Sequence, residues 1–347
     1  MKLISVLTAG TLLAAGGVVA VAGPATSATG LTTRCSGTAD GITITGDLVV
    51  PSGASCDLTG VTVTGSTRVA TGGDLVVEGS TFGSSVVVAE DGFFGAVDSS
   101  VAGRVTSRQG FGVSLEGSSA ESVVTRAVEG SEVLGVTWLE DGSSVSGQVD
   151  ARAGELLISS STVGGPVRGI GTTYTDVVDS TLRGSLDVVD NAEGGVFCES
   201  EVYGAATYTG NMSVLQLGAD GPVEVCDMAS FWGGDVTISD NMAEIIVDQN
   251  IIGGNLTGEG NDPAPTVGDG NRVRGELGGQ FAAPAEEDAA VETQALEMSV
   301  ARMAASTDGA EEATVESVVE RTDATRALLD ERSAAAEAEA AAAGPIA

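Results

Sequence analysis

Ile44-Thr45-Gly46-Asp47-Leu48 introduces a motif, apolar-x-Gly-x-apolar, that returns with variations along most of the 347-residue chain. Its first copies begin at positions 44, 63, 82, 101 and 120, a regular spacing of about 19 residues. Later copies begin at positions 145, 163, 182, 202, 232, 252 and 273, so the period becomes slightly longer towards the end. A period this short excludes paired-helix repeats, which need about 33 residues or more.

The repeat predicts an all-β fold, a right-handed parallel β-helix with three short strands in each coil of about 19 residues. Such a coil encloses a thin core of Val, Ile and Leu, which accounts for an aromatic content of only 3%. Glycine at the corners is expected to supply positive φ angles. The longer intervals 120–145 and 202–232 predict a bulge or loop in each, with Trp138 in the first.

Polar residues recur at the same period. Asn241 and Asn261 are one coil apart, as are Asn250 and Asn271, so we expect asparagine ladders inside the coils. Two Thr-x-Thr pairs at 43/45 and 62/64 would stack on adjacent coils. The next coils carry Phe-Gly-Ser and Ala-Gly-Arg at 82–84 and 102–104, so this threonine array is expected to end after two rungs.

The chain divides by composition into three segments. Residues 1–28 read as a signal peptide, with Lys2 before an apolar stretch and candidate cleavage sites after Ala22 and Ala28. An uncleaved membrane anchor is the alternative. Residues 29–280 form the predicted β-helix domain, and 281–347 form an Ala/Glu-rich tail. The expected location is therefore secreted, extracellular or associated with the cell envelope.

Four cysteines suit an exported protein, in which an even number favours disulfides. We pair Cys35 with Cys56, because their separation along the chain is close to one coil. Cys198 and Cys226 are separated by roughly one and a half coils and form the second expected pair. A zinc site is the alternative, but the chain has no His and no CxxC pair.

The tail predicts a helix or a partly disordered segment. Its 15 acidic residues and 4 arginines give a net charge of −11, and residues 311–343 are strong helix formers. A thin apolar stripe is formed by Val315, Val318, Val319, Thr322 and Leu329. We expect this helix to dock on the end of the solenoid, where it would cap the open edge of the last coil.

The charge of the chain restricts its partners. The formal net charge is −34, and no Lys follows the signal segment. Nucleic acids and anionic membrane surfaces, which need clustered basic residues, are therefore not expected. Cations, cationic polymers and neutral glycans remain as partner classes. The absence of His also excludes a conventional Ser-His-Asp triad.

Carboxylates provide the remaining candidate chemistry. A carbohydrate-active enzyme, a lyase or glycosidase, would need paired acids, for which the candidates are Asp187/Asp190 and Asp235/Asp240. No catalytic residue, cofactor or dedicated metal site is expected, with weak calcium binding as the alternative left open. Its candidate oxygen ligands are Asp190-Asn191, Asp240-Asn241, Asp248, Asp262 and Asp269.

Two stretches carry a resemblance, Gly-Asp-Leu-Val-Val-Pro-Ser-Gly-Ala-Ser-Cys at 46–56 and Ile-Ile-Gly-Gly-Asn-Leu at 251–256. Between Cys35 and about Gly279 the chain resembles exported repeat proteins of uncharacterised function from high-GC Gram-positive bacteria. The coil is also similar to that of bactofilins, which are polymer-forming cytoskeletal β-helix proteins. The resemblance implies a structural repeat and possible self-association; bactofilins, however, are cytoplasmic, whereas this chain begins with an export signal.

These observations together predict a secreted structural or surface-interaction protein. A solenoid face would bind an envelope polymer, a glycan or another protein. The alternatives are a carbohydrate-active β-helix enzyme, which would need a cleft, and a protein that assembles end to end into filaments. The two irregular intervals, before Val145 and before Trp232, are the first places to look for a distinguishing surface.

Overall fold

A computed structural model describes residues 31–126, 135–219, 221–282 and 316–346. There the repeat forms a parallel β-solenoid of about 13 turns, which confirms the predicted parallel β-helix with about 19 residues per coil. The right-handed winding stays a prediction. The signal segment, residues 1–28, lies outside the described residues.

Each coil contributes one strand to each of three faces, numbered here in chain order. Face 1 contains Thr32–Arg34, Asp47–Val50, Thr67–Val69, Val86–Val88, Val149–Arg152, Val167–Ile170, Leu186–Val189, Ala206–Thr209, Val236–Ser239, Leu256–Gly258 and Leu277–Gly279. Face 2 contains Gly37–Asp40, Ser55–Thr59, Asp74–Glu78, Phe93–Val97, Gly112–Glu116, Val136–Glu140, Leu156–Ser159, Thr175–Val178, Gly194–Cys198, Met212–Leu217, Met242–Val247 and Thr266–Val267. Face 3 contains Thr43–Ile44, Thr62–Val63, Thr81–Phe82, Ser144–Val145, Thr162–Val163, Thr181–Leu182, Glu201–Val202, Ser230–Trp232, Asn250–Ile252 and Arg272–Val273. Two longer strands run from face 3 onto face 1, Ser100–Arg108 and Ser119–Arg126.

The core follows from the alternation of side chains along each strand. In one early coil, Leu48, Leu58 and Val63 point inward from faces 1, 2 and 3, and each is fully buried. In the next coil Val77 and Phe82 take the places of Leu58 and Val63. One continuous apolar column therefore extends through the solenoid, so few aromatic residues are needed to fill it.

The repeat glycines lie at the corner between face 3 and face 1, and their role differs from the one predicted. A Cβ atom on Gly165 would lie only 2.7 Å from the backbone carbon of Gly147 in the preceding coil. Position 165 therefore requires glycine because the backbones of two neighbouring coils come close together at this corner, and not because of its φ, which is not positive. Among the repeat glycines, Gly46 in the first copy has a positive φ of 95°. At the other corners glycine supplies positive φ angles as predicted, as at Gly60 (φ 62°), and aspartate also adopts them, as at Asp98 (φ 47°).

Polar ladders line two inner corners and confirm the expected asparagine stacking. The backbone N–H of Asn241 donates to Oδ1 of Asn261 at 3.2 Å, and that of Asn250 donates to Oδ1 of Asn271 at 3.1 Å. A serine ladder, which was not predicted, lies in the earlier coils. In this ladder the N–H of Ser80 donates to Oγ of Ser99 at 3.0 Å. These bonds satisfy backbone groups that the tight corners would otherwise bury without partners.

Both expected disulfides are present in the structure. Cys35–Cys56 and Cys198–Cys226 each have a Cα–Cα distance of 5.5 Å. The second bridge ties the loop 218–229 to the end of a face 2 strand. The buried amide of Gln216 also holds this loop, because its Oε1 accepts from the N–H of Val223 at 3.0 Å.

The two irregular intervals lie at different corners. The extra residues of 202–232 form the loop 218–229, which confirms the predicted loop, although residue 220 is not described. The extra residues of 120–145 lie between the strands that end at Arg126 and begin at Val136, and residues 127–134 lie outside the described ranges. A register shift also occurs between Val101 and Arg104.

Within the described part of the tail, residues 316–346, the chain forms one helix, Val318–Ala343, which confirms the predicted helix there. Ser317 is its N-cap in a capping box, in which the N–H of Glu320 donates to Oγ of Ser317 at 3.2 Å. In the described part of the chain, no helix has both the length and the apolarity that a membrane crossing requires.

Candidate interaction surfaces

The helix lies along face 2 and runs back towards the first coil. Near its start, Val318 packs on Val196 and Val214, and the N–H of Val318 donates to the carbonyl of Val223 in the 218–229 loop. At its end, the N–H of Thr38 donates to the carbonyl of Gly344 at 3.0 Å. The predicted cap on the last coil was therefore wrong: the C-terminal residues pair with the first face 2 strand, because the helix runs antiparallel to the coil order.

The side of the helix that meets the solenoid is only partly the predicted apolar stripe. Val318, Thr322 and Leu329 are buried as expected, and Leu329 packs among Phe93, Trp138 and other outward residues of face 2. Val319, however, is 59% exposed. Val315 lies outside the described residues. Much of the docking surface is instead made of arginines and small alanines.

Three arginines of the helix each lie over an aromatic ring of the solenoid and pair with a carboxylate. The distances from the guanidinium carbon to the ring centroid are 4.6 Å for Arg321 over Tyr174, 5.1 Å for Arg326 over Trp138 and 4.3 Å for Arg332 over Phe111. The carboxylate partners are Asp176 for Arg321, Glu140 for Arg326, and Asp74 and Asp91 for Arg332. Each contact combines a cation–π interaction with an ion pair, and the three together hold an acidic helix on an acidic solenoid.

Asp176 and Arg321 form the most buried of these pairs. The Asp176 side chain is fully buried and that of Arg321 is 5% exposed. The N–H of Val196 also donates to Oδ1 of Asp176 at 3.0 Å. Close by, Glu155 accepts from the hydroxyl of Tyr174 at 2.8 Å and from that of Thr325 at 3.1 Å. Face 2 is thus a closed interface between solenoid and helix in this region.

Mild acid is expected to hold the helix more tightly. Burial raises the pKa of Asp176 to about 6, although Arg321 opposes the shift, and burial also raises the pKa values of Glu155 and Asp74. A carboxyl group whose pKa is raised on docking stabilises the docked state fully below its ordinary pKa near 3.8, and this contribution is lost as the pH rises through about 6. From pH 7.5 to pH 5, Asp176 alone should add on the order of 1 kcal/mol.

Amide hydrogen exchange of residues 318–343 at the two pH values, corrected for intrinsic rates, measures this effect. Asp176→Asn is the matched control, because it has no proton to take up and should reduce the pH dependence. Weaker protection of the helix at pH 5 than at pH 7.5 would contradict the expectation.

Two of the carboxylates considered for acid–base catalysis, Asp187 and Asp235, have structural partners. Asp187 pairs with Arg168 at 3.3 Å on face 1, and Oδ1 of Asp235 accepts from the N–H of Asn255 at 2.7 Å. Asp190 and Asp240 occupy corners with φ 56° and 57°. The side chains of Asn191 and Asn241, which follow them, are buried in the ladder and do not face a ligand outside.

The three remaining candidate calcium ligands are Asp248, Asp262 and Asp269. Oδ1 of Asp248 accepts from the N–H of Gly270 at 2.8 Å, so it braces the next coil. Asp262 and Asp269 lie in the last turns of the solenoid. Among the described residues, no group of three or more His, Cys, Asp or Glu side chains is arranged to hold a metal ion.

Face 1 carries charged residues in its outward column. Asp150 pairs with Arg126 at 3.0 Å and with Arg152 at 3.3 Å. Burial alone would raise the pKa of Asp150, but the hydrogen bond and charge of Arg126, with those of Arg152, lower it. Further along the face, Thr207, Thr237 and Thr257 stack in register on three successive coils.

Face 3 presents an unbroken rank of hydroxyl side chains, and the predicted two-rung limit was wrong for its first column. The register continues from Thr43 and Thr62 over eight coils in all, because the outward residue of each later coil lies immediately before the buried Val, Phe, Ala or Leu. The rank consists of Thr43, Thr62, Thr81, Ser100, Ser119, Ser144, Thr162 and Thr181. At the usual strand spacing of about 4.8 Å, it extends over roughly 34 Å.

A shallow groove of about 450 Å³ follows the middle of this rank. It is lined by Ser119, Ser144 and Thr162 together with Glu121 and Arg183. Beyond Thr181 the same column continues as Glu201, Phe231, Ile251 and Arg272. This change from hydroxyl to charged and apolar side chains was not predicted, although the register of the repeat could have revealed it.

Comparison with protein-family models, with curated proteins and with solved structures finds no match to this chain. The chain is therefore characterised by its architecture: a parallel β-solenoid of about 13 turns, with the helix Val318–Ala343 lying along face 2.

Proposed function

We propose that the protein is a secreted structural or surface-interaction protein that binds a cell-envelope polymer, a glycan or another protein through face 3. The observation that carries the proposal is the state of the three faces: the helix covers much of face 2, and ion pairs cross face 1. Face 3, with its rank of hydroxyl groups, has no covering element among the residues that the structure describes. Such a rank provides donors and acceptors at one regular spacing, which suits a partner that is itself repetitive.

The proposal includes export of the chain from the cell and its resemblance to exported repeat proteins. Binding is favoured over catalysis because the carboxylates first considered for acid–base work are engaged in corners and ion pairs. End-to-end assembly is less favoured, since the C-terminal residues occupy part of the edge of the first face 2 strand, where Pro345 pairs with Thr38.

Two large charged side chains on the hydroxyl rank of face 3 should weaken binding strongly. Thr81→Arg with Thr162→Arg is expected to reduce association with envelope fragments of the producing cells at least tenfold. The matched control is Thr207→Arg with Thr257→Arg, which makes the same change on face 1 and should alter binding less than twofold. Co-sedimentation of the purified mature chain measures both variants, and circular dichroism checks their folding.

If the face 3 variant binds as well as the wild type, the proposal is contradicted. If only the face 1 variant loses binding, the interaction surface lies on face 1 instead.

A further inference from the structure

Exposed apolar side chains concentrate at one end of the solenoid. Nine large hydrophobic residues of its described part are exposed, and seven of them follow residue 200. They are Tyr203, Met212, Val225, Met228, Met242, Val267 and Leu277. Exposed apolar patches on a protein surface commonly mark interaction sites.

Tyr203 and Phe231 form an aromatic pair on face 3 within this region. Their ring centroids are 5.7 Å apart at an interplanar angle of 62°. Tyr203 is 54% exposed, whereas the other two tyrosines and both tryptophans are no more than 3% exposed. The fold thus buries the rest of these large rings and leaves this one in water.

The surface beside the pair is flat. Gly233 and Gly253 follow Tyr203 in the next two coils, and a Cβ atom on Gly233 would lie only 2.7 Å from the carbonyl oxygen of Tyr203. Side chains are thereby excluded next to the ring. The hydroxyl of Tyr203 donates to Oε2 of Glu201 at 2.9 Å, which sets the orientation of the ring.

Polar groups surround this flat aromatic surface. Arg183 occupies the coil before Tyr203, while Arg272 and Arg274 lie beyond Ile251 and Gly253. All three are exposed, and none forms an ion pair with another described residue. With Glu201, they offer guanidinium donors and a carboxylate acceptor around an apolar centre.

This combination indicates the chemistry of the occupant. A polyanion would be repelled by the net charge of −34, and a polycation would meet three arginines at the site itself. A sugar ring has an apolar C–H face that stacks on aromatic rings and hydroxyl groups that bond with guanidinium and carboxylate. We propose that Tyr203 and Phe231 form a binding platform for a neutral glycan chain that lies along face 3.

This inference rests on the proposed function, because it places the ligand on the same face. The platform lies immediately beyond the hydroxyl rank, so a chain bound on the two rings would extend towards Thr181 and Thr162. The rings would supply most of the affinity, as aromatic anchors do at other interfaces, and the hydroxyl groups would align the chain.

The test uses the full mature chain and three soluble neutral hexasaccharides, cellohexaose, maltohexaose and chitohexaose. Isothermal titration calorimetry should detect binding of at least one of them. Tyr203→Ala combined with Phe231→Ala should weaken that binding tenfold or more. Met242→Ala removes a more exposed apolar side chain away from the platform and should change it less than twofold.

Polygalacturonate provides the anionic comparison and is expected not to bind. The inference is overturned if no neutral hexasaccharide binds, if the double variant binds as well as the wild type, or if polygalacturonate binds more tightly than the neutral sugars. Loss of envelope association in the face 3 arginine variant, but not in the Tyr203/Phe231 variant, would leave the proposed function intact and refute only the platform. Denaturant midpoints equal to that of the wild type show that the variants are folded.

Discussion

Replacing Gly165 by valine is expected to destabilise the solenoid by about 4 kcal/mol or more, because the added Cβ meets backbone that cannot move aside. It would lie 2.7 Å from the backbone carbon of Gly147 and 3.0 Å from the N–H nitrogen of Gln148. Separating these coils would stretch the hydrogen bond from the N–H of Gly165 to the carbonyl of Gly147, which is 2.8 Å long. The two γ-methyl groups of valine would add further overlap.

The damage should be local as well as large, because each coil of a solenoid contacts only its neighbours and the helix. Hydrogen exchange should show loss of protection around residues 145–170, with smaller effects in the first and last coils. Denaturant unfolding measures the change in free energy.

The control for this substitution is Gly171→Asn. Gly171 has a positive φ of 61° and nothing within 4 Å of an added Cβ, and asparagine tolerates this conformation. Its effect should stay within about 1 kcal/mol. Equal effects of the two substitutions would show that the close approach of the coils is not what requires glycine at 165.

Replacing Arg321 by alanine is expected to release the first half of the helix. If the helix stayed docked, Asp176 would be fully buried without its cation, and breaking a buried ion pair in this way costs about 3–5 kcal/mol. The stacking of the guanidinium on Tyr174 would also be lost. The released segment, residues 318–330, would then be a short helix without packing partners. Since isolated helices of about 12–15 residues or fewer are only marginally stable in water, this segment should also unfold.

Limited proteolysis and hydrogen exchange of the helix measure this result. Arg168→Ala removes the partner of Asp187 in an exposed pair, with side chains 37% and 32% exposed, and should cost no more than about 1 kcal/mol. The double variant Arg321→Met with Asp176→Leu removes both charges and should restore much of the docking. Full protection of the helix in Arg321→Ala would contradict the role assigned to this pair.

The surface of face 2 that the helix covers can be recognised in the sequence, although it was not predicted. On face 2, apolar residues occur consecutively, as in Phe93-Phe94, Leu156-Leu157-Ile158 and Val196-Phe197. Strands buried on both sides have this composition, whereas a face open to water alternates. The consecutive apolar residues therefore indicate a covering element, and the helical tail was the available candidate.

The partners of the three arginines were beyond reach of the sequence alone. The contacts of Arg321, Arg326 and Arg332 with face 2 join residues 145, 186 and 258 positions apart. No period or spacing relates such residues, since the helix meets the coils in reverse order. The loop 218–229 was predicted as a loop, but its contact with the start of the helix depends on the same docking.

The solenoid could be read from the sequence alone: its period, the inward residues, the asparagine ladder and the Cys35–Cys56 pair all follow from residues about one coil apart. This is possible because in a solenoid neighbours in space are separated by nearly constant distances along the chain. Two features became visible only in the folded protein: that the helix covers face 2, and that the C-terminal residues return to the first coil. Those features depend on how whole surfaces meet, through shape, burial and charge, and not on any repeated interval.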